Sequence, residues 1–258
     1  MDYYTNVSFA NIYREPSFHS EIDTQTVLWE KLHVLNKTDS FLHIRTEDDY
    51  PGWINIHQVS QCVPPQTEWK LITCLYVPVY RQPDKSSSTL LQTGAGARLP
   101  VIATQNGWAQ IALPDGRKGW VEHQVFKELP SFNRQNLIKL AEQFLGTTYI
   151  WGGKTPFGLD CSGFVQLIFR MFGKTIRRDA RMQFEDGTPV SHDPLQAEPG
   201  DLYFFAENDD KITHVGFALG NGRIIHARGL VRINSLNEND ADYSPQLRQS
   251  FVEIRTYF

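Results

Sequence analysis

Three residues in this chain have the types and the order that covalent catalysis needs: Cys161, His214 and His226. Asp160-Cys161-Ser162-Gly163-Phe164 follows a glycine-rich loop, Trp151-Gly152-Gly153 to Gly158. Asp160 is predicted to be a helix N-cap, which puts Cys161 in the first turn. There the free N–H groups and the positive end of the macrodipole favour thiolate over thiol, and the thiolate is the nucleophile. A nucleophile needs a base, and the two histidines lie 53 and 65 residues downstream on successive predicted strands. Gly220-Asn221-Gly222 between them is a hairpin signal. Counting outwards from Asn221 sets Val215 across from Ala227 and His214 from Arg228. His226 then lies on a diagonal from His214, near enough for one imidazole to orient the other. The same three residues also suit a catalytic zinc with water as fourth ligand, although no Cys-x-x-Cys or similar close pair accompanies them. Each alone is also a common buried core residue. The reading adopted here uses no metal and no cofactor. Phosphate loops, dinucleotide fingerprints and Gly-x-Ser-x-Gly elbows do not occur.

The elements that must position these groups follow from periodicity. Leu137, Leu140, Ala141, Phe144 and Leu145 form the stripe of an amphipathic helix ending at Gly146. Phe164, Leu167, Ile168, Met171 and Phe172 repeat the pattern and end at Gly173. Strand-like runs follow at 201–205, 214–219, 223–226, 231–236 and 251–258. Helices first and strands after them predict an α+β domain with an antiparallel sheet. The first half is different. Tyr13-Arg14-Glu15-Pro16 returns as Tyr80-Arg81-Gln82-Pro83, and Gly52-Trp53 returns as Gly119-Trp120, both at an offset of 67 residues. Two copies with one offset are duplicated modules. Alternating runs such as Trp108–Leu113, closed by Pro114-Asp115-Gly116, predict small all-β barrels. Their Tyr-Arg-x-Pro and Gly-Trp signatures resemble bacterial SH3-like domains, with Trp53 and Trp120 expected in the barrel cores. The predicted organisation is therefore 1–63, 67–129 and 131–258.

Composition excludes several functions. The net charge is −4 over 258 residues, so there is no basic field for nucleic acid. No run approaches the ~18 apolar residues of a membrane span. The start, Met1-Asp2-Tyr3-Tyr4-Thr5-Asn6, has neither the basic nor the apolar part of a secretory signal, so a cytoplasmic location is expected, or a periplasmic or secreted one where a leader has been removed. Three cysteines, Cys62, Cys74 and Cys161, are too few and too odd for a disulfide framework.

Five motifs together resemble the NlpC/p60 cysteine peptidases in order and spacing: Tyr149-Ile150-Trp151-Gly152-Gly153, Asp160–Phe164, Pro199-Gly200-Asp201-Leu202, His214-Val215-Gly216 and Ile225-His226-Ala227. The resemblance covers 131–258, where it implies a papain-like fold. With the two SH3-like modules it extends to the γ-D-glutamyl-L-diamino acid endopeptidases that cut peptidoglycan stem peptides. It implies Cys161 as nucleophile, His214 as base, His226 as the residue orienting His214, and Tyr149 as a stabiliser of the oxyanion. It also implies substrate contacts from Asp160 and Ser162. Glu21 and Tyr50 of the first module would meet the free amine of an N-terminal L-Ala, because a buried ammonium needs a carboxylate. Such an enzyme acts on released stem peptides. Ala180 stands where some members of the family have a substrate-contacting serine. Arg177, Arg178 and Arg181 could meet a carboxylate of the diamino acid, but such a charge run reads first as a solvated helix face. Two other classes fit the same residues: a peptide- or wall-binding protein whose last domain is a scaffold, and an acyltransferase or amidase using the same triad. The implied partner is a peptidoglycan-derived peptide.

Overall fold

The computed structural model describes residues 2–207 and 211–258. Met1, the first residue of the first predicted module, lies outside them. Two compact units divide the chain, one ending at Leu129 and one spanning Pro130–Phe258.

The first unit is all β. Its strands are β1 Asp2–Thr5, β2 Phe9–Tyr13, β3 Ile22–Val27, β4 Lys31–Lys37, β5 Phe41–Arg45, β6 Pro51–Asn55 and β7 Val59–Cys62. Then come β8 Glu68–Leu71, β9 Val77–Tyr80, β10 Thr89–Thr93, β11 Arg98–Gln105, β12 Trp108–Ala112 and β13 Lys118–Glu122. The first sheet runs β3-β2-β6-β5-β4-β1-β7 and the second β10-β9-β13-β12-β11-β8. Apart from β7, the second order is the first with each strand number raised by seven, so the sequence repeat is a repeat of topology. The repeated residues also pair with each other: Tyr13 with Trp53, and Tyr80 with Trp120. The repeated glycines are needed for space. A Cβ on Gly52 would lie 2.3 Å from Ile12, and one on Gly119 would lie 2.3 Å from Val79. The tryptophans beside them correct the expectation of core residues. Both are half-buried, Trp53 stacks on His43, and the first barrel's core is aliphatic, built from residues such as Ile12, Leu42, Ile44 and Ile54.

A second core runs from one barrel into the other. Tyr4, Val27, Leu28 and Trp29 pack in one cluster with Val77, Leu99 and Ile111. Trp29 stands edge-on to Trp69 at 5.1 Å and donates from Nε1 to the Ala112 carbonyl at 2.9 Å. It does so from the left-handed region, φ 69°, which a bulky residue occupies only where its surroundings hold it.

In the second unit, α1 (Arg134–Glu142) is capped by Asn133, whose side chain accepts from the Asn136 amide. The helix ends before Phe144 and Leu145, and the chain turns at Gly146 (φ 87°). Short strands β14 (Lys154–Thr155) and β15 (Gly158–Leu159) lead into α2 (Cys161–Met171). After α3 (Ala180–Asp186) the chain forms β16 (Thr188–Ser191), β17 (Leu202–Phe205), β18 (His214–Gly220), β19 (Arg223–Arg228) and β20 (Leu230–Ser235). The chain closes with α4 (Pro245–Ser250) and β21 (Phe251–Thr256). The sheet is antiparallel throughout, in the order β16-β21-β17-β18-β19-β20. Helix α2 is buried on nearly every side and sets Phe164 and Phe169 against Phe217 of β18. The edge strand β16, which carries Pro189, has no signature in the sequence pattern. Asp201 is buried and bound by Arg134 at 2.7 Å, which ties α1 to the start of β17. No helix among the described residues is long and apolar enough to cross a membrane.

Candidate active site

Helix α2 begins at Cys161 because Asp160, in extended conformation, caps it: Oδ1 accepts from the Gly163 amide at 2.7 Å. A Cβ at position 163 would lie 2.1 Å from the Gly153 carbonyl, so glycine lets the loop close on the helix start. The Cys161 Sγ then faces the beginning of β18, 3.9 Å from the Thr213 carbonyl, with the Val215 and Ser162 amides directed at it. The residue between Thr213 and Val215 is His214.

The pairs Phe217–Ile225 and Ala218–Ile224 continue to Gly216 opposite His226, the predicted register. A Cβ on Gly216 would come within 2.6 Å of the His226 Cβ, so the glycine makes room for that ring. His214 Nε2 and His226 Nδ1 are 2.7 Å apart, and His226 Nε2 is 3.1 Å from Asn234 Oδ1. Asn234 Nδ2 donates to the Asp242 carbonyl, which fixes the amide orientation. Its oxygen therefore accepts from His226 Nε2–H, and His226 Nδ1 accepts from His214 Nε2–H. The one lone pair left on the neutral His214 ring is on Nδ1. That tautomer is what a base for a thiol requires.

Electrostatics correct the expected thiolate. Burial, then the nearby Asp160 carboxylate, pushes the Cys161 thiol up to about 12, against the Val215 and Ser162 amides and Arg178. Burial, with His226 and Arg228, holds His214 well below the ordinary histidine value. His226 is lowered to about 4, again chiefly by burial. The resting pair is neutral thiol and neutral imidazole, and charge separates only when the proton moves. Tyr149 is half-buried, and its amide donates to the Gly229 carbonyl at 2.9 Å. Its hydroxyl has no hydrogen-bond partner among the described residues. Burial and the neighbouring Cys161 and Asp160 raise its pKa, so it stays a donor.

Arg178 corrects the reading of a solvated helix face. Its side chain is 1% exposed and binds Asp160 Oδ2 at 2.5 Å, Asp160 Oδ1 at 3.0 Å and Ser162 Oγ at 2.9 Å. Asp160 and Ser162 thus flank the nucleophile, buried and engaged with this guanidinium and the helix cap. Gln183 holds the Ser162 carbonyl from the other side at 3.1 Å. Arg177 is partly exposed and clamps Asp186 and Glu185, and Arg181 is exposed. Ala180 is buried at the start of α3. Glu21 and Tyr50 belong to the first unit. The Glu21 carboxylate meets Arg14 at 2.5 Å, and Asp23, Glu21 and Tyr50 together raise the pKa of that arginine. Asn234 and Arg178 are the groups that sequence reasoning missed. The strand register from the hairpin at Gly229 was the signal for Asn234, which pairs with Ile224.

Among the described residues no group of three or more His, Cys, Asp or Glu is arranged to hold a metal ion. His214 Nε2 and His226 Nδ1 are 2.7 Å apart, which leaves no room for a metal ion between them.

Comparison with known proteins places three family models on the chain. The NlpC/P60 family matches residues 146–247, the bacterial dipeptidyl-peptidase Sh3 domain 12–59, and the bacterial SH3 domain 76–127. A Bacillus cereus γ-D-glutamyl-L-lysine dipeptidyl-peptidase is 30% identical over 228 residues, covering 81% of this chain and 68% of the relative. The dipeptidyl-peptidase 6 of Lysinibacillus sphaericus is 26% identical, over 96% of this chain and 97% of that one. The crystal structure of an NlpC/P60 family protein from Bacillus cereus superposes with a TM-score of 0.85 at 24% identity, over 100% and 99% of the two chains. That likeness establishes the fold.

Proposed function

Starting from a chain that belongs to the NlpC/P60 family of cysteine peptidases, we propose that it hydrolyses the amide between γ-D-Glu and a diamino acid in peptidoglycan stem peptides. The chain His214–His226–Asn234, with the Cys161 sulfur against the residues flanking His214, is the observation that carries this reading. Cys161 Sγ attacks the γ-carbonyl carbon as its proton passes to His214 Nδ1. The carbonyl π pair moves to oxygen, where the free Tyr149 hydroxyl donates a hydrogen bond. Collapse restores the carbonyl and breaks the C–N bond. The imidazolium gives its proton to the leaving amine, and a thioester remains. Water, deprotonated by His214, then cleaves the thioester and regenerates the thiol. Asp160, Ser162 and Arg178 build the helix start that aims Cys161.

A neutral His214 sets the expected pH dependence. The base works only while Nδ1 is unprotonated, and its pKa lies well below 6.5. kcat/KM should therefore stay level as pH falls through 6.5 and decline only at lower pH. A pH–rate profile that already falls at or above 6.5 would contradict the buried, neutral pair.

Glu21 and Tyr50 are the groups we assign to the free N-terminal amine, with the substrate ammonium taking the place of Arg14 on the Glu21 carboxylate. This restricts the enzyme to released peptides and suits a role in peptide recycling. L-Ala-γ-D-Glu-diaminopimelate and its N-acetylated form, followed by mass spectrometry, test both statements. The free peptide should be cut on the order of 10²-fold faster, the worth of a charged hydrogen-bonded contact. Equal rates would remove the amine gate and keep the peptidase. Cleavage of neither would remove the peptidase reading.

A further inference from the structure

The histidine-bearing face of the second unit's sheet carries two arginines that the hydrolytic steps do not use as proton carriers. In an antiparallel sheet, partners across strands share a face. Arg232 is paired with His226, and Asn234 with Ile224. Arg228 stands two residues along from His226 and so on the same side. Together with Tyr243, Ser244 and Gln246 these three residues line a cavity of about 370 Å³. Asn234 is at once a wall of this cavity and the acceptor that holds His226.

The cavity is rich in donors and positive. Arg228 shares its charge with Glu207 at 2.9 Å. Arg232 is exposed and has no ion-pair partner among the described residues. Guanidinium forks match carboxylates, and two of them repel an ammonium. Arg228 falls opposite His214 when the pairing of the two strands is carried on, and its charge acts on that ring, so the cavity adjoins the base. The leaving nitrogen must sit beside His214 to receive its proton, next to the strand that carries Arg228.

We propose that the pocket of Arg228 and Arg232 binds a carboxylate of the leaving diamino acid and thereby selects the residue beyond the scissile bond. The inference rests on the peptidase reading above. Two carboxylates have this chemistry: the α-carboxylate of a tripeptide, and the side-chain carboxylate that diaminopimelate has and lysine lacks.

Three peptides separate them: L-Ala-γ-D-Glu followed by diaminopimelate, by lysine, or by lysine amide, each assayed with wild type and with Arg232→Gln. Arg232 is exposed, so its replacement leaves the core intact. A wild-type preference of roughly tenfold or more for diaminopimelate over lysine assigns the pocket to the side-chain carboxylate. The same preference for lysine over its amide assigns it to the α-carboxylate. In either case Arg232→Gln should reduce the ratio of kcat/KM values to near one. A ratio near one in wild type, or one that Arg232→Gln leaves unchanged, overturns the inference while the peptidase stands. If no peptide is cut, the peptidase reading fails and the inference with it.

Discussion

Replacing Cys161 with alanine should lower turnover of the free stem peptide by roughly 10⁴-fold or more, because the nucleophile and its proton are both lost. The protein itself should survive the change. Only one heavy atom leaves the site, at a cost of about 1 kcal/mol of packing, and the cap of α2 depends on Asp160 and the Gly163 amide, not on the thiol. Rates measured beside a circular dichroism melt therefore separate chemistry from folding. Cys62 and Cys74 are half-buried among the residues of the barrel core, with their thiols intact in the variant. Full turnover by a folded Cys161→Ala protein would show that the nucleophile lies elsewhere.

The second large effect is on stability. Arg178→Met should cost about 3–5 kcal/mol in the unfolding of the second unit, since it leaves the buried Asp160 carboxylate without its partner. Methionine has nearly the right length and no charge, so the loss reports the orphaned carboxylate more than a cavity. With a urea slope of ~1–3 kcal/mol per molar, the midpoint should fall by about 1 M or more. Adding Asp160→Asn should recover much of this, because asparagine caps a helix about as well as aspartate and needs no counter-charge. A midpoint that barely moves in Arg178→Met, or a double variant as unstable as the single, would mean that the pair does not hold the helix start. Turnover should fall along with stability, since the same pair fixes where Cys161 points.

Much of the fold and part of the site were legible in the residues. The 67-residue offset became two sheets of the same strand order, and the repeated Tyr and Trp became cross-strand partners. The stripe from Phe164 to Phe172, with Asp160 before it, became a helix starting at Cys161. The Gly-Asn-Gly turn set the register that brings His226 to His214. These outcomes were accessible because they depend on periods of two and 3.6 residues and on chemistry within one turn.

What the sequence left open has a different origin. The run Arg177-Arg178-Asp179 reads as surface, yet Arg178 is buried because a carboxylate 18 residues away needs it, and no local spacing encodes that. Trp29 ties the two barrels through Ala112, 83 residues on. The helix start that favours a thiolate in isolation holds a neutral thiol here, because packing around Cys161 removes water and sets Asp160 beside it. Sequence by itself determined the elements, the hairpin register and the order of the catalytic residue types. Tertiary structure alone decided which charges are buried, which tautomer each histidine holds and where the pocket of Arg228 and Arg232 opens. Desolvation and long-range pairing exist only after distant segments have closed on one another.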